Sequence, residues 1–327
     1  MILALTIFSV TTGPPLKCMY TRQCQRYQAP LLVLMPQAVV KKLKRPTGTS
    51  GRIFLYQGVL SSPGVHIPVV QMLSERHDIQ AIQNWLSEWR RAGAAVPKEV
   101  VCDFSLALLG GVVKAFTLQP DLKTYIDHCF GVLMGKEYST LPPCFVRVDV
   151  AHCIKIISRW DCLRKKGNRV REFYLRAMAQ LLQSVTMDQA KELIRSIVVV
   201  ALSESEGSDA KGTPVFSEIC KTNLKKAIAE QWEPLTEDVT QRADVPQRTD
   251  DTLQACRSDV QRWVSDICEE SRSLAADDGD RDNLHFLPEL VPHLIRLSSY
   301  LPLWTGIMVT AFKSQNITAS SAHVEAV

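Results

Sequence analysis

The chain has 327 residues, of which 46% are hydrophobic and 22% are charged. This is the composition of a globular protein, and it excludes an extensively disordered chain, a collagen and a bare coiled coil. No run approaches the ~18 consecutive apolar residues of a membrane-spanning helix. The length allows two domains at the usual size of roughly 100–200 residues each.

The net charge of +4 is distributed unevenly along the chain. Residues 1–74 contain eight basic residues and no Asp or Glu, so this segment carries +8 and the rest of the chain −4. A basic segment of this kind suits a polyanionic partner, although a solvated basic surface gives the same count. Ten cysteines without a CxxC pair indicate free thiols in a reducing compartment, so a nuclear or cytoplasmic protein is expected. The apolar first residues lack the basic start of a secretory signal, so secretion is not expected.

Strand-like and helix-like stretches alternate over the first 150 residues. Three β-rich runs with short turns between them predict an antiparallel meander, at 31–40, 52–60 and 65–72. Helices are predicted from apolar residues at helical spacing, at 78–91, 106–117 and 121–134. Two further strands are predicted at 99–104 and 144–150. The pattern predicts the α/β class, with a mixed sheet and helices on its faces.

The second half of the chain is predicted to be mostly helical. Thr186 and Gln189 have the spacing of a capping box, and residues 203–213 have the composition of a flexible linker. Residues 233–282 contain fourteen acidic residues against six arginines, which predicts an acidic linker or solvated arm. Three prolines divide 284–312 into short helices, and the last residues resemble a loop followed by the start of a helix.

Two acidic positions stand at predicted strand ends. Asp103 ends a predicted buried strand, and burying a carboxylate there costs free energy unless it is paired or binds a metal. The alternative to a functional role is that Asp103 helps to cap the next helix. Asp149 and His152 form a second polar cluster, in which Asp149 is either a further ligand or the cap of the following helix. Zinc is not expected, because the spacing of Cys144, Cys153 and Cys162 does not match structural zinc sites.

The motif VVCDFSLALLGGVVKAF (100–116) resembles the second-acid motif of Mutator-like (MULE-type) eukaryotic transposases. Other segments resemble a transposase-derived group of animal genomes: KKLKRPTGTSGRIFLYQGVL, PVVQMLSERHD, FVRVDVAHCIKIISRW, REFYLRAMAQLL, and LPLWTGIMVTAF followed by TASSAHVEAV. The resemblance covers roughly 17–327 and implies an RNase H-like mixed sheet interrupted by a mostly helical insertion. It divides the chain into a first core part at 1–150, the insertion at 151–312, and the start of a final core helix at 313–327.

The resemblance also implies a chemistry. Asp103 matches the second acid of an Asp, Asp, Glu triad, and Glu325 matches the third, so both are predicted ligands of Mg²⁺ or Mn²⁺ in DNA cleavage and strand transfer. DNA is the expected partner, and its phosphates are expected to meet Lys41, Lys42, Lys44 and Arg45. Self-association is left open, and neither a membrane nor a small-molecule substrate is expected.

The first acid of the triad is missing from this sequence. It is expected near Leu34 and Met35, yet no Asp or Glu precedes Glu75. Because removal of a charge-stabilising group costs orders of magnitude in rate, activity is expected to be impaired. The sequence also ends two residues after Glu325, with its helix barely begun, which is expected to weaken that ligand.

Three functions therefore remain open. They are a DNA transposase domain, a catalytically inactive relic or domesticated DNA-binding protein, and a helical protein-interaction scaffold. If the triad assignment is right, Asp103 lies across adjacent strands from the neighbourhood of Leu34.

Overall fold

The computed structural model describes residues 31–44, 50–62, 65–136, 140–230, 258–275 and 278–315. The chain divides into two compact units. The first unit contains the described residues up to Cys153, together with Pro302–Trp304 and the segment that starts at Met308. The second unit contains Ile154–Leu301 and Thr305–Ile307.

A five-stranded mixed sheet forms the centre of the first unit. Its strands are β1 (Leu31–Lys44), β2 (Ser50–Ser62), β3 (Val65–Ser74), β4 (Glu99–Cys102) and β5 (Phe145–Val148). Their order across the sheet is β3-β2-β1-β4-β5. β2 pairs antiparallel with both β1 and β3, whereas β4 pairs parallel with both β1 and β5. The predicted meander and mixed α/β sheet are thus confirmed.

Helices connect the strands of this sheet. They are α1 (Ile79–Arg91), α2 (Leu106–Phe116), α3 (Leu122–Leu133) and α4 (Val150–Ser158), the last of which starts after β5. Asp78, Ser105 and Asp121 cap the first three, and each side chain accepts a hydrogen bond from a backbone N–H three residues further on. These caps fix where each helix begins, and so where the chain leaves the sheet.

α1 and α2 approach each other closely at two glycines of α2. A Cβ added at Gly111 would lie 2.6 Å from Cγ2 of Ile82 and 3.3 Å from the backbone nitrogen of Gln83. At Gly110 the nearest atom would be the terminal Cδ1 of Ile79, at 2.9 Å. Because real Cβ atoms do not come this near to their neighbours, the absence of a side chain at Gly111 sets the distance between the two helices.

The second unit is helical, as predicted. Its helices are α5 (Asp161–Arg164), α6 (Asn168–Gln183), α7 (Met187–Leu202), α8 (Phe216–Glu230), α9 (Asp259–Leu274) and α10 (Leu290–Ser298). Near the end of the chain follow α11 (Leu301–Trp304), a 3₁₀ turn (Gly306–Met308) and α12 (Val309–Phe312). The capping residue Thr186 accepts a hydrogen bond from the Gln189 N–H, as predicted, and the Gln189 side chain accepts from the Val185 N–H.

Two linker predictions are wrong. Residues 203–213 are ordered, because β6 (Ser205–Glu206) pairs with β7 (Arg281–Asp282) and Asp209 organises the turn that follows. The acidic linker predicted at 233–282 is wrong for residues 259–274, since α9 buries Val260, Val264, Ile267 and Cys268 on one face. The high content of acidic residues favoured a linker, although the apolar residues there have the spacing of an amphipathic helix. Residues 231–257 lie outside the described part of the chain.

A buried polar cluster links β6, β7 and α8. The Nζ of Lys221, a residue with 5% exposure, lies 2.7 Å from a carboxylate oxygen of Glu206 and 2.7 Å from one of Glu218. Arg281 adds a longer contact of 3.4 Å to Glu218. The cluster places a fixed network of charges where the short two-stranded sheet meets the helix.

Candidate functional site

Asp103 and Asp149 lie side by side at the ends of parallel strands. Asp103 directly follows β4 and Asp149 directly follows β5, and the backbone N–H of Asp149 donates to the carbonyl of Cys102 at 2.9 Å. Both residues are buried, with 7% exposure for Asp103 and none for Asp149. Since the carboxyl ends of neighbouring parallel strands share one edge of the sheet, the fold brings these two acids together.

His152 lies between the two carboxylates. Its Nδ1 is 3.3 Å from Oδ1 of Asp103 and 3.3 Å from Oδ1 of Asp149. The backbone N–H of His152 also donates to Asp149 Oδ1 at 2.9 Å, so Asp149 caps the first turn of α4. Of the two roles that the sequence left open for Asp149, the structure shows the cap. His152 adds a positive charge beside these two buried carboxylates only when its imidazole is protonated.

The environment of these acids is poorly hydrated. Cys102, one residue before Asp103, is fully buried, and burial raises the pKa of its thiol well above the usual range. The charges of Asp103 and Asp149 raise that pKa further. Burial and then Asp149 likewise raise the pKa of the Cys153 thiol. Both thiols therefore stay protonated and uncharged at neutral pH, and neither is a thiolate metal ligand or nucleophile.

A second polar chain supports the turn after Asp103. Nε2 of His77 lies 2.9 Å from Oγ of Ser105, and its Nδ1 lies 2.6 Å from the hydroxyl of Tyr56. The rings of Tyr56 and His77 are stacked, with centroids 6.0 Å apart. Burial raises the pKa of Tyr56, with a smaller contribution from Asp78, so its phenol stays protonated. This chain of contacts connects β2, the loop before α1 and the capping residue of α2.

β1 is the direct neighbour of the strand that leads to Asp103. Leu32, Val33 and Leu34 pair with Val100, Val101 and Cys102. One residue further along the chain, Met35 follows Leu34 on β1 and Asp103 follows Cys102 after β4. Leu34 is 1% exposed, and its Cδ2 would be 3.1 Å from a Cβ at Gly58. The expected adjacency of the two strands is present.

The predicted phosphate-binding residues lie further along β1. Beyond Val40, β1 pairs only with β2, through Leu43 with Gly51 and Lys44 with Ser50. Lys41 is six positions past Met35, which is roughly 20 Å of strand at 3.3 Å per residue. Lys41, Lys42 and Lys44 therefore lie on a two-stranded extension, at the same end of β1 as Asp103 but not beside it. Arg45 lies outside the described residues.

The chain segment before Glu325 is anchored at the opposite end of β4. Phe312 stacks on Phe145 with ring centroids 4.4 Å apart, and the Ser314 hydroxyl donates to Oε2 of Glu99 at 2.7 Å. Glu99 also forms a buried ion pair of 2.9 Å with Arg147. Glu325 itself lies outside the described residues, so its predicted place beside Asp103 stays a prediction.

No three His, Cys, Asp or Glu side chains within the described ranges are arranged to hold a metal ion. Asp103, Asp149 and His152 do not by themselves fit Mg²⁺, because the two carboxylates face an imidazole nitrogen instead of a third oxygen ligand. In the same ranges, no helix combines the length and the apolarity needed to cross a membrane.

Sequence reasoning missed His77 and Tyr56 as neighbours of the site. His77 comes from the segment before α1, twenty-eight positions before Ser105, and Tyr56 comes from β2. Only the strand order brings them together, and no local pattern encodes that order. The polar residue types in SERHD, between a predicted strand and a predicted helix, were the one available signal.

No family model matches the chain. It is 38% identical over 292 residues to the 120.7 kDa protein in the NOF-FB transposable element of Drosophila melanogaster, an alignment that covers 88% of this chain and 27% of that protein. The chain thus spans about a quarter of the length of this relative. The similarity shows a transposon-derived protein, whereas the Mutator-like type stays a prediction.

Among solved structures, the chain is similar to the Drosophila P element transposase strand transfer complex. The identity is 14% and the TM-score is 0.28, over 90% of this chain and 70% of that chain. These values are too low to establish a shared fold.

Proposed function

We propose that this protein derives from a transposase of Mutator-like type, that its ancestral activity is metal-dependent DNA strand cleavage and transfer, and that DNA binding is what it retains. The observation that carries the proposal is the pairing of β1 with β4. This pairing joins Leu34 to Cys102, and the proposal assigns the next residues, Met35 and Asp103, to the positions of the first and second acids. Asp103 is buried at a strand end beside Asp149. An RNase H-like site needs acids from these two adjacent strands to converge on one edge.

The impairment follows from the residue found at that position. Met35 has no ligand atom for a hard cation, and the whole chain before Glu75 contains no carboxylate to replace it. The side chain that contacts both Asp103 and Asp149 is His152. Two acids in contact with an imidazole, without a third acid, support an inactive DNA-binding protein rather than an active transposase.

Chain length allows Glu325 to reach this edge. Glu99 and Asp103 are separated by four residues of strand, which is about 13 Å. Eleven residues separate Ser314, which is bonded to Glu99, from Glu325. A chain of that length can span at least about 16 Å, the value for the compact rise of a helix, and more where it is extended. A third acid at Asp103 is therefore compatible with the anchor at Ser314, and it belongs to this proposal.

Restoring the missing acid is the experiment that tests the proposal. The full chain with Met35→Asp is expected to nick supercoiled plasmid DNA in the presence of Mg²⁺ or Mn²⁺ at least about tenfold faster than the Met35→Asn variant, because only the former adds a charged oxygen ligand. Adding Asp103→Asn to the Met35→Asp variant is expected to abolish the gain. Circular dichroism checks that all variants fold.

The proposal fails if Met35→Asp is folded and binds DNA but cuts no faster than Met35→Asn with either metal. Leu34→Asp provides a control for the register. Because Leu34 is 1% exposed and packs close to Gly58, an acid there is expected to destabilise the protein without producing cleavage.

A further inference from the structure

The second unit presents a dense group of basic residues around the turn between α5 and α6. Residues 155–176 contain eight Lys and Arg against two acids, Asp161 and Glu172. The exposed members at the turn are Arg164, Lys165, Lys166 and Arg169. We refer to residues Arg164–Arg169 as the basic turn. It lies outside the basic N-terminal segment and outside the site at Asp103.

The carboxylates near the basic turn leave most of its charge uncompensated. Arg164 lies 3.7 Å from Asp161, but both side chains are mostly exposed, so this pair contributes little. Glu172 pairs with Arg176. Glu289 lies near Cys162. Burial raises the pKa of that thiol most, and the charge of Glu289 raises it further. In the described part of the chain, no carboxylate lies within 4 Å of Lys165, Lys166 or Arg169.

The basic turn is held rigidly on a buried base. Leu163 is fully buried, and Trp160, 9% exposed, stacks on His293 with ring centroids 5.2 Å apart. On the other side of the turn, Tyr174 is fully buried and its hydroxyl donates to the carbonyl of His285. A surface fixed in this way loses little conformational entropy when it binds a partner.

The backbone adds to the positive potential of the turn. α6 has sixteen residues and begins at Gly167, which has no side chain to cap it. The N–H groups of Val170 and Arg171 donate to the Gly167 carbonyl, so those of Asn168 and Arg169 face outward at the first turn. Lys166 donates one long hydrogen bond, of 3.4 Å, to the carbonyl of Phe286 and keeps further N–H donors. Together with Lys165, Arg169 and the outward N–H groups, it supplies the donors that phosphate oxygens accept from.

We infer that the basic turn is a second DNA-binding surface, which binds the phosphate backbone independently of the lysines on β1. The choice of DNA over another polyanion rests on the proposed function. The recognition is of backbone charge, so it provides affinity without sequence preference.

The test compares two triple variants of the full chain. Fluorescence anisotropy with a labelled DNA duplex gives the dissociation constant at a series of salt concentrations. Lys165→Ala/Lys166→Ala/Arg169→Ala is expected to reduce the slope of log K against log salt by about 2–3, because each phosphate contact contributes about 0.9. The matched control removes three exposed lysines of the same unit, Lys211→Ala/Lys225→Ala/Lys226→Ala, and is expected to leave the slope unchanged.

A conservative variant separates charge from folding. Lys165→Arg/Lys166→Arg keeps both charges and is expected to keep the wild-type slope. The inference is overturned if the basic-turn variant is folded and binds with the same slope and dissociation constant as the control. If that happens while Lys41→Ala/Lys42→Ala/Lys44→Ala weakens binding, the proposed function stands and this inference alone fails. If the unmodified chain does not bind DNA, both fail.

Discussion

Replacement of Lys221 by Met is expected to lower the free energy of unfolding by about 3–5 kcal/mol, the cost of breaking a buried ion pair from one side. The Lys221 side chain is 6% exposed and its ammonium group is shared between Glu206 and Glu218, at 2.7 Å from each. Met has a similar length but no charge, so the variant leaves two carboxylates in a poorly hydrated place without their cation.

Urea denaturation at neutral pH, followed by circular dichroism, measures this effect. Lys226→Met is the matched control on the same helix, because its side chain is 76% exposed and its contact with Glu230 is 3.8 Å long. The control is expected to change stability by less than about 0.5 kcal/mol. A loss below about 1 kcal/mol for Lys221→Met would show that water or another cation compensates the two carboxylates.

The stability lost in Lys221→Met is expected to depend on pH. Burial tends to raise the pKa of Glu218, but the hydrogen bond and charge of Lys221, together with Arg281, hold it below its usual value. A carboxyl with a lowered pKa stabilises the fold above its unfolded pKa, and this contribution is lost as the pH falls through the folded value. Lys221→Met removes the main cause of the lowered pKa of Glu218 and so lacks this contribution. The stability difference between the two proteins is therefore expected to narrow as the pH falls below about 4.3, the ordinary pKa of Glu.

The sequence predicted the elements of the first unit well because each is short, apolar and bounded by its own turn or cap. Asp78, Ser105 and Asp121 start helices within a residue of the predicted positions, since a capping side chain acts on a backbone group only three residues away. Asp103 could be singled out for the same reason, as an acid that directly ends a buried apolar strand. These are all local signals.

Other features depend on how distant segments pair, and the sequence does not encode this locally. Leu34 pairs with Cys102, the residue before Asp103, only through the register of β1 with β4, and a shift of one residue would bring a different residue of β1 there. No sequence pattern indicated that Lys221 is buried in an ion-pair cluster. One partner, Glu206, lies in a stretch whose composition predicted a flexible linker, and the other, Glu218, lies in α8. The acidic composition of 258–274 likewise outweighed its helical spacing of apolar residues.

Gly111 allows a stability prediction whose sign is opposite to the usual one. Replacing Gly by Ala within a helix normally stabilises it by up to about 1 kcal/mol, because Ala restricts the unfolded chain and favours helix. At Gly111 the new Cβ would meet Cγ2 of Ile82 at 2.6 Å and Cβ of Ile82 at 2.8 Å. The Cβ of Ile82 is bonded directly to the backbone of α1, so no side-chain rotation removes that contact. We therefore expect Gly111→Ala to destabilise the protein by about 1–3 kcal/mol, the usual cost of overpacking a core.

Gly110→Ala is the matched control, since it makes the same chemical change one position earlier on α2. Its Cβ would meet the terminal Cδ1 of Ile79, whose side chain is 39% exposed and free to adopt another rotamer. This variant is expected to be neutral or stabilising by up to about 1 kcal/mol. Thermal unfolding of the two variants measures the difference. If both change stability equally, helix propensity decides the outcome and the close contact of α1 with α2 does not. If only Gly111→Ala is destabilised, Ile82→Ala in that background should cost less than it does in the wild type, because it removes the Cγ2 atom that the new Cβ meets at 2.6 Å.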